Sequence, residues 1–245
     1  MGPLFLAENF FDVRQFPSHL LSADTTADNH EVWRVANARR ALRDYWAPTT
    51  TSGWIKAHCN RPRAADTLFI DRNSNLTGRT VTLTVADDAA HAHPYTVFTA
   101  TVPSVVHARS SITTPNGVLT EEGAWIIKFP VAVATRWKIA ISGGTGAPQV
   151  GGVWLGKSFT PTNKPALPFS DEPRELIYSE VLSPAAWSAS SRKAQRKRPS
   201  LSFRVQDETE YAKARYHLGD LLYRGFTTVY VPDQAYTERA ILGVA

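Results

Sequence analysis

The stretch from Arg79 to Val85 constrains the fold most, because Val81, Leu83 and Val85 alternate there with Thr80, Thr82 and Thr84. A period of two puts the apolar side chains on one face and the threonines on the other, the pattern of a half-buried β-strand. An apolar run, Thr67 to Ile70, precedes it through the polar loop Asp71-Arg72-Asn73-Ser74-Asn75-Leu76-Thr77-Gly78. Further upstream Trp46 and Trp54 flank a Thr/Ser turn. The block from Asp44 to Asp88 therefore reads as strands joined by turns, and the rest of the chain is expected to complete that layer or hang from it.

A chain of 245 residues can hold one large β domain, or a medium domain and a small one. Hydrophobic content of 43% with 20% charge is ordinary for a globular protein and argues against global disorder. Cys59 is the only cysteine, which excludes an intrachain disulfide, and it is expected to be a buried filler. Met1 to Glu8 lacks the basic start and apolar length of a signal peptide, and no apolar run is long enough to span a bilayer. The expectation is a soluble protein made in a reducing compartment, in which the sequon Asn75-Leu76-Thr77 carries little meaning.

Along the chain, Leu4 to Phe16 reads as an edge strand and Ser22 to His30 as a surface loop. Val32 to Tyr45 fits either a short helix or a strand and turn. Arg61-Pro62-Arg63 reads as a turn, Ala86 to His93 as a hairpin connection, and Tyr95 to Val106 as a strand that Pro103 breaks or edges. Asn116-Gly117 marks a tight turn. Ala124 to Phe129 and Thr135 to Ile141 read as two strands with a proline link, followed by a glycine-rich turn from Ser142 to Gly151 and the strand Val153 to Leu155. Lys157 to Pro173 carries four prolines without a regular period, as an arm or linker would. Glu175 to Leu182 is a further strand, and Ser188 to Pro199 a polar, basic loop. Leu201, Phe203 and Val205 alternate as a strand. Asp207 with Glu210 then opens a helix carrying Tyr211, Ala214, Leu218 and Leu221 on one face and ending at Gly225. Strands from Phe226 to Val231 and Ala240 to Val244 follow.

The search for chemistry leaves no catalytic set. Gly143-Gly144-Thr145-Gly146 lacks the lysine and helix of a phosphate loop, and no Gly-x-Ser-x-Gly elbow is present. Asp87-Asp88 and Glu121-Glu122 are adjacent carboxylates that point to opposite faces of a strand, unlike a glycosidase pair. His91 and His93, with Asp87 and Asp88 nearby, have the alternate spacing of metal ligands, but a solvated hairpin tip is the preferred reading. No cofactor, metal or enzymatic activity is expected.

Binding is better represented. Trp33, Tyr45, Trp46 and Trp54 are aromatic candidates for a sugar platform, with Trp46 and Trp54 carried forward as the pair. Trp33, Trp137 and Trp154 are read instead as core. The basic run Arg192, Lys193, Arg196, Lys197 and Arg198 has no acid within it, and is read first as an assembly contact, then as a solvated loop. The net charge of +5 also raises nucleic acid, which ranks last because no aromatic residues interleave with that run.

Asp44-Tyr45-Trp46, Leu68-Phe69-Ile70-Asp71 and Asn73-Ser74-Asn75-Leu76-Thr77-Gly78 resemble the front half of discoidin-like (galactose-binding-like) jelly rolls. Arg136-Trp137-Lys138-Ile139-Ala140-Ile141 and Gly151-Gly152-Val153-Trp154-Leu155-Gly156 resemble their closing strands. With the proline-rich arm and Arg198-Pro199-Ser200-Leu201-Ser202-Phe203, the whole looks like a structural protein of tailed-bacteriophage tail tips or baseplates. The resemblance implies a mainly β fold, with a discoidin-like jelly-roll β-sandwich over 2–157. It adds an arm and basic loop over 158–199 and a small β-α-β-β extension with one helix over 200–245. It also implies a non-enzymatic virion component made in the host cytoplasm, forming a homo-oligomeric ring with other phage tail proteins. A carbohydrate-binding module used for adsorption to a host-surface glycan is the alternative.

Overall fold

A computed structural model describes residues 4–6, 8–36, 45–71, 74–88, 90–106, 111–120, 123–161, 170–181, 188–200, 208–215, 227–231, 234 and 241–244. The fold is mainly β, a jelly-roll sandwich with a small α/β part. Its strands are β1 (Leu4–Leu6), β2 (Leu20–Ala23), β3 (Gly53–Ile70), β4 (Thr80–Ala86), β5 (Tyr95–Thr101), β6 (Val118–Leu119), β7 (Trp125–Ser142), β8 (Val153–Gly156), β9 (Ser170–Val181), β10 (Ser188–Ser200), β11 (Thr227–Val231) and β12 (Ile241–Val244). A 3₁₀ turn occupies Val32–Ala36, and one helix among the described residues, α1, spans Glu208–Ala214.

Two 18-residue strands, β3 and β7, pair antiparallel along their length and form the spine of the sandwich. The first half of β3 and the second half of β7 belong to a sheet ordered β2-β3-β7-β4-β5. Their other halves carry β8 on β3 and β6 on β7. Both halves point buried side chains into one core, including Ile55, Ala57, Leu68, Ile70, Trp125, Ile127, Trp137 and Ile139. The spine therefore folds over on itself, and prolines mark where it does so. The register between β3 and β7 breaks between His58 and Arg63, around Pro62, and again opposite Asp66, where Phe129, Pro130 and Val131 intervene. Proline cannot donate to a ladder, so it fits at a bulge, and a bulge bends its strand. This corrects two expectations: the Arg61-Pro62-Arg63 turn and the Pro130 link are bends within continuous strands.

The alternation of β4 is as expected, with Val81, Leu83 and Val85 buried and Thr82 and Thr84 facing outward. β5 ends at Thr101, before Pro103. The Asn116-Gly117 turn forms with Gly117 at φ 64°. A Cβ there would sit 2.5 Å from the Ile126 carbonyl oxygen, so both conformation and space require glycine.

The N-terminal segment departs from the expected edge strand. Only Leu4–Leu6 is extended, and it pairs with β11 rather than crossing the main core. Phe10 and Phe11 are buried in turns whose backbone is tied down by Asn9. The Asn9 side chain donates to the Val153 carbonyl at 2.7 Å and accepts from the Phe11 amide at 3.0 Å. The β1-β11-β12 sheet covers the outer side of the second half of the spine. Leu4, Leu6, Val229 and Val231 there meet Phe69, Ile126 and Trp154 in a second apolar cluster. Asp66, buried nearby, accepts from the Lys157 ammonium at 2.9 Å and the Ser158 amide at 2.8 Å, which anchors the start of the arm.

On α1, Tyr211 is exposed, while Ala214 packs on the small cluster of Phe5, Phe159 and Tyr230. Leu218, Leu221, Gly225, the strand 201–205, the carboxylates Glu121 and Glu122, and Pro165 and Pro168 lie outside the described residues. The basic segment is a strand rather than a loop. Arg192, Lys193, Arg196, Lys197 and Arg198 all belong to β10, which pairs antiparallel with β9 from Ser188↔Val181 to Ser200↔Ser170. The partner strand satisfies the backbone groups on the side that faces it, which a sequence of small and basic residues does not advertise.

Candidate functional site

The outer face of the β2-β3-β7-β4-β5 part of the seven-stranded sheet gathers an indole and several basic side chains. Because side chains alternate along strands, the cross-strand register defines rows on this face. Trp54 lies opposite Ala140, which lies opposite Thr82 and then Thr99. In the next row Ser22, Lys56, Lys138, Thr84 and Thr96 follow one another across the sheet. The third row runs Leu20, His58, Arg136 and Ala86.

Trp54 is half-buried, and two ammonium groups sit over its indole. Lys56 Nζ lies 4.5 Å and Lys138 Nζ 5.2 Å from the ring centroid, both within cation–π range. Among the described residues neither lysine forms an ion pair. Burial holds the Lys138 ammonium below its ordinary pKa, the neighbouring Lys56 lowers it further, and Asp24 opposes both. Asp24 sits at the edge of the face, its amide bonded to the Trp54 carbonyl at 3.0 Å.

His91 folds back onto this face from the β4–β5 hairpin. Its backbone is left-handed, φ 58°, in a turn closed by Asp88, whose carboxylate accepts from the Ala92 and His93 amides at 2.7 and 3.3 Å. Its Nε2 lies 3.2 Å from Thr84 Oγ1, while Nδ1 is buried without a hydrogen-bond partner. Burial pushes the imidazole below its ordinary pKa, and Lys56, Lys138 and Arg136 add to that against Asp88. His93 is exposed, so the two histidines do not converge, and among the described residues no cluster suits a metal ion.

The aromatic candidates are redistributed. Trp46 is fully buried, bridged to Val150 and donating from Nε1 to the Thr25 carbonyl at 3.1 Å, so it offers no stacking face. This corrects Trp46 to a core residue. Trp33, expected in the core, is 53% exposed on the 3₁₀ turn with Arg34 5.2 Å from its ring. Trp137 and Trp154 are buried as expected. Tyr45 stacks on His30 at 4.2 Å and its hydroxyl meets Gln149 at 3.3 Å, away from Trp54 in the ladder. The strand carrying Arg192 to Arg198 shares no sheet with Trp54. Cys59 is buried, and burial drives its thiol to about 12, as an inert filler requires.

Lys56, His58, Arg136 and Lys138 were not singled out by sequence. The signal was present: Trp54, Lys56 and His58 share one parity, and Arg136 and Lys138 share the outward parity of β7. Only the β3–β7 register reveals that the two basic pairs are directly opposite.

A shallow groove lined in part by Val85, Tyr95, Val97, Val131 and Val133 lies where the spine bends. Asp87, His93 and the Tyr95 hydroxyl supply its polar side chains.

No family model matches the chain, and no curated protein matches it. Among solved structures, it is similar to a fucosidase of Ruminococcus gnavus in complex with fucose, at TM-score 0.45 and 10% identity over 62% of this chain. The match spans 27% of that enzyme's length. A chitosan-binding module from a Paenibacillus sp. IK-5 chitosanase/glucanase matches at TM-score 0.43 and 14% identity, over 60% of this chain and 98% of the module. A family 32 carbohydrate-binding module from Streptococcus pneumoniae EndoD matches at 0.42 and 14%, over 61% and 99%.

Proposed function

We propose that this protein is a non-catalytic glycan-binding module, and that the Trp54 face of its seven-stranded sheet is where the sugar binds. The observation that carries the reading is an indole on an outward sheet face, ringed by side chains able to bond hydroxyl groups. An aromatic surface suits the apolar face of a pyranose, and the surrounding groups would fix its orientation. Lys56 and Lys138 donate, Asp24 accepts, and the Thr82 and Thr99 hydroxyls, 3.2 Å apart, do either. The carbohydrate-binding modules among the fold's similar structures are compatible with it but carry none of the argument.

Trp54→Ala in the full chain is expected to weaken saccharide binding by about tenfold to a hundredfold in calorimetric titration, the cost of losing a buried aromatic contact. Its melting temperature should stay near that of the parent, because the ring faces outward. Tyr211→Ala, which removes an exposed ring on α1, should leave binding unchanged. Equal losses for both variants would remove the sheet face from consideration.

A second reading, a ring-forming subunit of a bacteriophage tail tip, draws on β9 and β10. These strands pair only with each other among the described residues. A lone two-stranded hairpin is marginal in water, and a neighbouring subunit would supply the surface it lacks. Light scattering of the purified chain should then show a defined ring, alone or with particle-derived neighbours. A monomer under both conditions would end this reading.

A further inference from the structure

Building on the glycan reading, we infer that the sugar recognised at the Trp54 face is acidic, a saccharide bearing carboxylate or sulfate groups. The row Ser22-Lys56-Lys138-Thr84-Thr96 places two ammonium-bearing residues directly opposite one another in an antiparallel pair. Like charges in that relation are destabilising, and sequences ordinarily set an acid or a neutral residue across from a lysine. Here both lysines converge on one indole, and the next row adds His58 opposite Arg136. Arg136 is held in place by its Nη1, which donates to the Asp87 carbonyl at 2.5 Å.

The carboxylates near the face are engaged elsewhere or lie at its edge. Asp88 caps the hairpin turn, and Asp87 accepts from the Thr135 amide at 3.3 Å. Asp24 remains beside the lysines without forming an ion pair with either. The result is a cationic strip across the middle of the sheet in which, among the described residues, neither lysine forms an ion pair, with Asp24 as the acid that acts on Lys138. An anion seated between Lys56 and Lys138 would relieve their repulsion and receive charge-assisted hydrogen bonds from both. His91 Nδ1, buried and unpartnered, adds a further polar atom at the margin of the strip.

The surroundings favour a saccharide over a nucleic acid. The face offers one indole rather than a series of rings for successive bases. It also carries a ladder of hydroxyl groups, Thr80, Thr82, Thr84, Thr96, Thr99 and Thr101, which match sugar hydroxyls.

The test is calorimetric titration of the full chain with four probes of matched length. These are a neutral chitin-derived oligosaccharide, an oligogalacturonate, a heparin-derived oligosaccharide and a single-stranded oligodeoxynucleotide. The expected result is that an acidic saccharide binds more tightly than the neutral one, and that added salt weakens its binding. Lys56→Gln and Lys138→Gln should each reduce acidic-saccharide binding by about tenfold. Both variants should melt at or above the parent temperature, since each removes a repulsion. Neutral and acidic sugars bound equally, with the lysine variants unaffected, would overturn the charge inference while leaving glycan binding intact. No binding of any saccharide would overturn the glycan reading and this inference together. Tightest binding of the oligonucleotide, lost in the same two variants, would overturn the inference in favour of nucleic acid.

Discussion

Trp137→Ala is expected to destabilise the protein by about 3–5 kcal/mol, the cost of truncating a fully buried indole and leaving a cavity. Trp137 is completely buried in the main core. Its ring centroid lies 5.7 Å from that of Phe10, and its Nε1 donates to the Ala134 carbonyl at 3.2 Å. In register it sits between Ala57 of β3 and Val85 of β4. Those neighbours hold their positions in paired strands and cannot move in to refill the space. The turn that carries Phe10 is also anchored, the Phe10 amide donating to the Leu155 carbonyl at 2.9 Å, and it would lose its nearest aromatic contact. A loss of this size is a large share of the total stability of an ordinary domain, about 5–15 kcal/mol. Urea unfolding should show a much lower midpoint for Trp137→Ala, while Trp33→Ala, at an exposed position, should fall within about 0.5 kcal/mol of the parent. Matching curves for the two variants would mean that the core is not organised around Trp137.

Arg79→Ala is expected to cost about 3 kcal/mol and to loosen three loops at once, because hydrogen bonds from a charged donor are among the stronger ones. Arg79 is buried immediately before β4, and no carboxylate is among the hydrogen-bond acceptors of its guanidinium. Its guanidinium instead donates to backbone carbonyls: Asn75 at 3.1 Å, Thr51 at 3.3 Å, Gly146 at 2.7 Å, and Gly143. The polar loop before β4, the turn before β3 and the glycine-rich turn after β7 therefore meet on one side chain. Gly144, at φ 85°, lies against it, and a Cβ there would come within 2.8 Å of the guanidinium. Removal leaves four carbonyls to find water in a buried place. Hydrogen exchange should accelerate across residues 49–52, 74–78 and 143–149 as those loops open locally. Arg79→Lys should recover only part of the loss, since an ammonium on a flexible stem cannot span four acceptors as a planar fork does. An Arg79→Ala protein with parental melting and exchange would show that the loops are held by their own backbone bonds. The turn at Thr51 leads directly into Gly53 and Trp54, so this anchor also positions the proposed binding face.

The strands were legible where one face meets the core and the other meets water. The Thr/Val alternation of β4 and the outward parity of Lys138 and Ala140 on β7 follow from that asymmetry. The prolines misled, because Pro62 and Pro130 break a strand by local rules yet mark bulges in strands that continue through them. Trp46 and Trp33 exchanged roles for a related reason. Neither belongs to a periodic strand, so nothing in the local pattern says which way the ring points. Trp46 is turned inward by its bridge to Val150, and Trp33 outward by a short 3₁₀ turn. The basic run at 192–198 was visible as charge but not as a strand, since its pairing with β9 depends on backbone bonds. The proposed binding face was half legible: Trp54 stood out, but its two lysines become neighbours only through the β3–β7 register. The resemblance to jelly rolls agreed with the mainly β architecture, while the tail-tip role drew on no feature of the Trp54 face.

The most direct test of the account follows the Trp54 indole N–H by NMR as the isotope-labelled full chain is titrated with acidic and neutral oligosaccharides. The account predicts that this signal moves together with the amides of Lys56, His58, Arg136 and Lys138, and that Trp54→Ala abolishes the response of those amides. Saturable shifts confined to other surfaces, such as β10 or the turn carrying Trp33, or no shifts with any saccharide, would contradict it.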